Sequence, residues 1–307
     1  MSQVPWSSHR VLLREAVFRG YLVAESPLRV GAGREAPLGS PVDLSVLRVR
    51  LGGKSVPYIP GSSLKGVFRS FSQSLAVAKG LSVCSGLSGE TCMDYEDPSL
   101  GGEKLLSYLQ GLMREGHSLE AVRLFHEKAC LMCKVFGAPS FSGHVEFSDA
   151  YPVDEKGGVV DVSTGVRTGI AINRRTGAVY ERALYQVEYV EPGARFRFEA
   201  RTTNLPNYAL GLLSAVIRMM NEGWVRVGGF KTRGFGEVRV EGLEFAARGA
   251  TVRGSVLVKL DDYDSDVDLS GLAEARDGWL RASGDSAWKA LAKLEEVWSN
   301  ASFGKRG

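Results

Sequence analysis

Four cysteines, Cys84, Cys92, Cys130 and Cys133, are the residues of this 307-residue chain whose type and spacing most suit chemistry. Two residues separate Cys130 from Cys133, the gap that lets two thiolates reach one tetrahedral ion. Seven separate Cys84 from Cys92, a looser pair. All four fall within residues 80–139, a stretch that reads as an insertion with little apolar material of its own. A segment of that kind gains stability from a structural zinc ion. His126 precedes Cys130 by one helical turn, and it or His117 is an alternative ligand to Cys84. Redox chemistry at Cys130 and Cys133 lacks the βαβ context it would need.

Two further stretches suit anion binding. In Pro57-Tyr58-Ile59-Pro60-Gly61-Ser62-Ser63-Leu64-Lys65-Gly66, a proline-stiffened run meets a helix start, with Ser62 and Ser63 as N-cap candidates. Leu64, Val67, Phe68, Phe71 and Leu75 follow at helical spacing, while Lys65 and Arg69 lie on another face. A helix N-terminus with cations nearby is suited to phosphate. The second stretch, Gly228-Gly229-Phe230-Lys231-Thr232-Arg233-Gly234-Phe235-Gly236, has four glycines in nine residues. Glycines let backbone amides approach a phosphate, Lys231 and Arg233 add charge, and the phenylalanines either stack on bases or pack underneath.

Asp43 is the notable acid, at the end of a Gly- and Pro-rich loop and just before a short strand carrying Arg48 and Arg50. No Ser-His-Asp set or carboxylate pair assembles from spacing, and the four histidines are scattered. Gly52-Gly53-Lys54-Ser55 has the tail of a phosphate-binding loop, but Arg48 stands where its first glycine is required. Gly31-Ala32-Gly33 begins a dinucleotide fingerprint, but Ala36 replaces the third glycine and no βαβ unit follows.

These residues must be positioned by a substantial core. Hydrophobic residues make up 44% of the chain and charged residues 24%, as in globular proteins. A net charge of +3 means that nucleic-acid binding would rest on local clustering. No apolar run is long enough to span a membrane, and the first residues lack the apolar centre of a signal peptide, so an intracellular protein is expected. Strands are expected at residues 16–24, 144–150, 195–201 and 237–245, and helices at 62–79 and 208–221. A basic hairpin is expected over residues 159–191, containing Arg167 and Arg174. The order strand, helix, strand, strand, helix, strand fits an α+β, ferredoxin-like fold. The tail, residues 246–307, reads as an extension with a strand, an acidic loop at residues 261–268 taken as a solvated linker, and a helix at 285–299.

Taken together, these motifs resemble the RAMP proteins of type III CRISPR effector complexes, specifically the repeated backbone subunit that cleaves target RNA. The loop over residues 28–43, Tyr58-Ile59-Pro60-Gly61-Ser62-Ser63-Leu64-Lys65-Gly66, Cys130-Leu131-Met132-Cys133-Lys134-Val135-Phe136-Gly137 and the glycine loop occur in the family's order, within residues 1–245. The resemblance implies an RRM-like core with a zinc-containing helical insertion and a thumb hairpin. It implies cytoplasmic copies that polymerise along crRNA and join other type III subunits. Ser62, Ser63, Lys65, Arg69, Arg48, Arg167, Arg174, Gly229, Lys231 and Arg233 would hold RNA. Asp43 matches the family's cleavage aspartate, which assists attack of a target 2′-hydroxyl on the adjacent phosphate with a divalent metal such as Mg. Its neighbours depart in part from the family pattern, so an inactive guide-binding subunit is the alternative.

Overall fold

Strict alternation in Arg195-Phe196-Arg197-Phe198-Glu199-Ala200-Arg201 dictates a strand with one apolar face, and a computed structural model of the chain places Phe196, Phe198 and Ala200 in the core. The structure describes residues 4–31 and 42–303. In chain order, β1 (Glu15–Ala24) is followed by the small hairpin β2 (Arg48–Leu51) and β3 (Lys54–Pro57), then helix α1 (Gly61–Ala78). Helices α2 (Leu105–Arg114), α3 (Ser118–Lys128) and α4 (Leu131–Phe136) precede β4 (Val145–Phe147). The long hairpin β5 (Thr164–Ile172) and β6 (Val179–Val190) leads to β7 (Arg195–Thr203), α5 (Asn207–Asn221) and β8 (Val238–Arg248). Strands β9 (Glu274–Arg276) and β10 (Trp279–Ser283) and helix α6 (Asp285–Asn300) follow.

One antiparallel sheet runs β9-β10-β8-β1-β7-β4. Its register sets Phe18 of β1 opposite Phe245 of β8 and Ala200 of β7. The four adjacent strands β8-β1-β7-β4 are fourth, first, third and second of their set along the chain, with α1 after the first and α5 after the third. Phe68 of α1 packs 4.7 Å from Phe147 of β4 and 6.0 Å from Phe198 of β7, which fixes α1 over that edge of the sheet. Helix α5 is buried on nearly every side, and Gly211 lets it press against the Leu294 carbonyl of α6.

The tail is tied into this core. Strands β9 and β10 extend the main sheet, and the acidic loop is structural where the sequence suggested a solvated linker. Asp264 is buried and accepts the amides of Asn207, Tyr208 and Leu260, so it caps α5 from outside that helix. Asp261 accepts from Trp6 Nε1 at 3.0 Å and from the Tyr208 hydroxyl at 2.8 Å. Between α1 and β4 the chain is also better packed than its composition suggested. Leu109, Phe125, Met132 and Phe136 are buried and continuous with the core.

Candidate functional site

Helix α1 begins at Gly61, with Pro60 as its N-cap residue, so Ser62 and Ser63 lie inside its first turn. The cap is supplied from elsewhere: Asp149 accepts the Gly61 amide at 2.8 Å. A Cβ at Gly61 would strike the Phe147 carbonyl, so glycine is required for this approach. The positive end of the helix thus already faces a carboxylate.

Ser63, Gly66, Val67 and Ser70, at positions three, four and seven from the first, form one side of α1. They line a groove of about 430 Å³ whose other wall is Arg29, Val30, Gly31, Gly228, Gly229 and Lys231. The glycine loop and residues 27–31 are interlocked. Gly229 donates its amide to the Arg29 carbonyl at 2.8 Å, and Gly236 donates to Pro27 at 2.9 Å. A side chain at Gly228, whose φ is 84°, would collide with the Arg29 carbonyl. The glycines therefore first serve close approach of two chain segments. Lys231 stands exposed at the groove, where partial desolvation still lowers its pKa.

Arg29 is the functional candidate that the sequence reading did not single out. Its side chain is 7% exposed, and Nε and Nη2 have no hydrogen-bond partner among the described residues. Burial lowers its pKa, an effect opposed by Glu188. A buried guanidinium with two nitrogens left without hydrogen-bond partners is costly unless an anion completes it. The one sequence signal was an arginine directly ahead of a glycine-rich run. Residues 32–41 of that run lie outside the described residues.

The hairpin β5–β6 is fastened to the same wall. Gly165 and Gly169 lie opposite Tyr189 and Tyr185, and a Cβ at either glycine would meet the tyrosine rings. The guanidinium of Arg167 stands 4.9 Å from the Phe235 ring centre and 5.7 Å from that of Tyr189. Arg233 donates to the Tyr185 hydroxyl and stands 5.3 Å from the Phe230 ring centre. Phe235 is buried, so it packs underneath. Arg174 is exposed in the turn at the hairpin tip. Ile170, Ile172 and Leu184 are more than half exposed nearby.

Asp43 is exposed, and its Oδ2 accepts the Gln186 amide of β6 at 2.7 Å. Leu44 continues along β6 through a bridge to Val187. Arg48 donates to Glu188 at 2.9 Å, so its charge is partly neutralised within the protein. Burial pushes the Glu188 pKa up, but the Val46 amide and Arg48 outweigh that and leave it below the usual range. Among the described residues, no grouping of three potential metal ligands includes Asp43.

The four cysteines do come together. Their Sγ atoms lie within 4.8 Å of one another, with Cys84 3.2 Å from Cys133 and 3.6 Å from Cys130. The ligand edge of a tetrahedron with metal–sulfur bonds of ~2.3 Å is about 3.8 Å, so the set fits a four-thiolate ion. Hydrogen bonds from Cys130 and Cys133 lower the Cys84 pKa, and a bond from Cys133 lowers that of Cys130 to about 6. Contacts with Cys130 raise Cys92 and Cys133. Full ionisation therefore calls for a cation. The histidines stand elsewhere: His126 Nδ1 is 2.8 Å from the Ser7 hydroxyl, and exposed His117 lies 3.8 Å from Glu120. Lys65 and Arg69 lie on the flank of α1 away from the groove-lining serines. Lys65 is half-buried, and desolvation, then Arg69, lower its pKa against the pull of Glu146.

Residues 21–239 match the RAMP superfamily. The chain belongs to the RAMP superfamily. The matched span of this RAMP protein runs from β1 into β8 and includes Arg29, α1, the cysteines, the long hairpin and the glycine loop. The superfamily points to CRISPR-associated RNA binding. No curated protein matches the chain. No described helix is long and apolar enough to cross a membrane.

Proposed function

We propose that this RAMP protein is a backbone subunit of a type III CRISPR effector, holding crRNA in the groove between α1 and the glycine loop. The observation that carries the reading is Arg29, buried in the wall of that groove with Nε and Nη2 lacking a hydrogen-bond partner among the described residues. Guide RNA must be gripped without regard to its sequence, which phosphate contacts achieve. Arg29, Lys231 and the Ser63 and Ser70 hydroxyls supply donors of that kind. The β8-β1-β7-β4 strand order supports a ferredoxin-like core, and the thiol geometry supports a structural zinc. The apolar, basic tip of the hairpin suits it to press into a guide–target duplex or onto a neighbouring copy.

In this reading Asp43, carried on β6, accepts the proton of a target 2′-hydroxyl as that oxygen attacks the adjacent phosphate. The 5′-oxygen leaves with a proton taken from water, giving a 5′-hydroxyl on one fragment and a 2′,3′-cyclic phosphate on the other. The partial departure of Asp43's neighbours from the family pattern supports a second reading, a guide-binding subunit without cleavage. Guide-programmed complexes with wild-type protein and Asp43→Ala, given complementary RNA, separate the two. Cyclic-phosphate products from the wild type alone support cleavage by Asp43, whereas none from either supports the second reading.

A further inference from the structure

The sequence reading gave Arg69 to RNA, but its guanidinium faces the cysteines. Nη1 donates to the Gly137 carbonyl at 3.0 Å, and Nη2 stands 4.0 Å from Cys84 Sγ and 3.9 Å from Cys133 Sγ. Nε is buried without a described partner. The pocket for this side chain is built around it. Gly86 has φ 78°, and a Cβ there would overlap the guanidinium. Gly137, with φ 93°, turns the chain after α4 so that its carbonyl meets Nη1.

We infer that Arg69 is a positioning residue of the cysteine metal centre, holding its charge and locking α1 to it, and is not an RNA contact. The inference rests on reading the four thiols as a metal site. Four thiolates around a divalent ion carry a net charge of −2, and a neighbouring guanidinium reduces this while donating N–H···S contacts. Groups of this kind orient ligands and raise metal affinity. The same helix presents Ser63 and Ser70 to the groove. Arg69 therefore connects the metal centre to the groove floor through one rigid element.

The test uses full-length wild-type protein, Arg69→Met, Arg69→Lys and Cys133→Ser. Zinc content, zinc release to a chromogenic chelator, the thiolate-to-cobalt charge-transfer band and the salt dependence of RNA binding are read. Arg69→Met should release zinc roughly 10-fold or more faster and alter the cobalt band. Its RNA salt slope at saturating zinc should equal that of the wild type. Wild-type release with an altered salt slope would return Arg69 to RNA and overturn the inference. Wild-type release with an unaltered slope overturns it as well. Arg69→Lys keeps the charge but not the fork, and should release zinc a few-fold faster. That variant carries the test if Arg69→Met does not fold, and an unchanged rate overturns the inference. A wild type without bound zinc, indifferent to Cys133→Ser, removes the metal-site reading itself and the inference with it.

Discussion

The Arg29 guanidinium stands 5.5 Å from the Phe230 ring centre, joining the segment after β1 to the loop after α5 across some two hundred residues of chain. Phe230 reaches it from a left-handed backbone, with φ 58°, a conformation that is uncommon for residues other than glycine. Arg233 approaches the same ring, and Tyr185 stacks at 6.4 Å. The groove cation, the glycine loop and the hairpin are thus one unit, and Asp43 rides on the hairpin through Gln186.

Asp43→Asn should leave the fold untouched, because the residue is exposed and a loop amide keeps an acceptor for Gln186. Its unfolding midpoint should correspond to a change of no more than about 0.5 kcal/mol. Target cleavage should fall by ~100-fold or more, the scale of a lost general base. Cleavage at the wild-type rate would remove Asp43 from the chemistry.

Asp149→Ala removes the side-chain acceptor of the Gly61 amide at the start of α1 and should destabilise the protein by about 1 kcal/mol in denaturant. Gly61→Ala should be worse, since its Cβ meets the Phe147 carbonyl. Equal midpoints for the wild type and both variants would contradict this account of how α1 begins.

The tail should be inseparable from the domain. Asp264→Ala leaves the Asn207 and Tyr208 amides at the start of α5 and the Leu260 amide of the tail without their acceptor. A loss of about 3 kcal/mol or more is expected from buried groups of this kind. Truncation after residue 250 should give insoluble or unfolded protein. A stable, soluble truncate would show that the tail is a true appendage.

Stability should fall in mild acid. His144 is buried, donates Nδ1 to the Thr203 carbonyl at 2.8 Å, and stacks 4.1 Å from His9; Trp6 separates it from His126. Burial first, and His9 second, lower its pKa to about 4 from an ordinary value of 6.5. The fold favours the neutral ring, so this contribution is complete above pH 6.5 and is lost as pH falls towards 4. At pH 5 the loss amounts to about 2 kcal/mol. Urea unfolding of the wild type and His144→Gln between pH 7.5 and 5 measures it, and a variant with the wild-type pH dependence would exclude His144 as its source.

What the sequence made legible was local. The 3.6-residue spacing of Leu64, Val67 and Phe68, the alternation through Arg195-Phe196-Arg197 and the Cys130–Cys133 gap each report on neighbours a few residues away, and each forms as expected. What it hid depends on segments that meet only in the fold. Ser62 and Ser63 look like caps, but Asp149 performs that task from a distant strand end. Asp264 sits in a run of acids that reads as solvated, yet it is buried beneath α5. Arg29 gave little sign of itself, because its role comes from desolvation against Gly228 and Phe230, two hundred residues on. Lys65 and Arg69 share a face, but nothing local shows that Arg69 turns towards the cysteines.

The central claim is that the groove grips RNA through its phosphates. The direct measurement is the affinity for a single-stranded guide as a function of salt, for wild type and Arg29→Ala/Lys231→Ala. Each lost phosphate contact should reduce the slope of log K against log salt by about 0.7, so the double variant should lose roughly 1.4 and bind every guide sequence more weakly. A double variant with the wild-type slope and affinity would contradict the assignment of this groove to RNA.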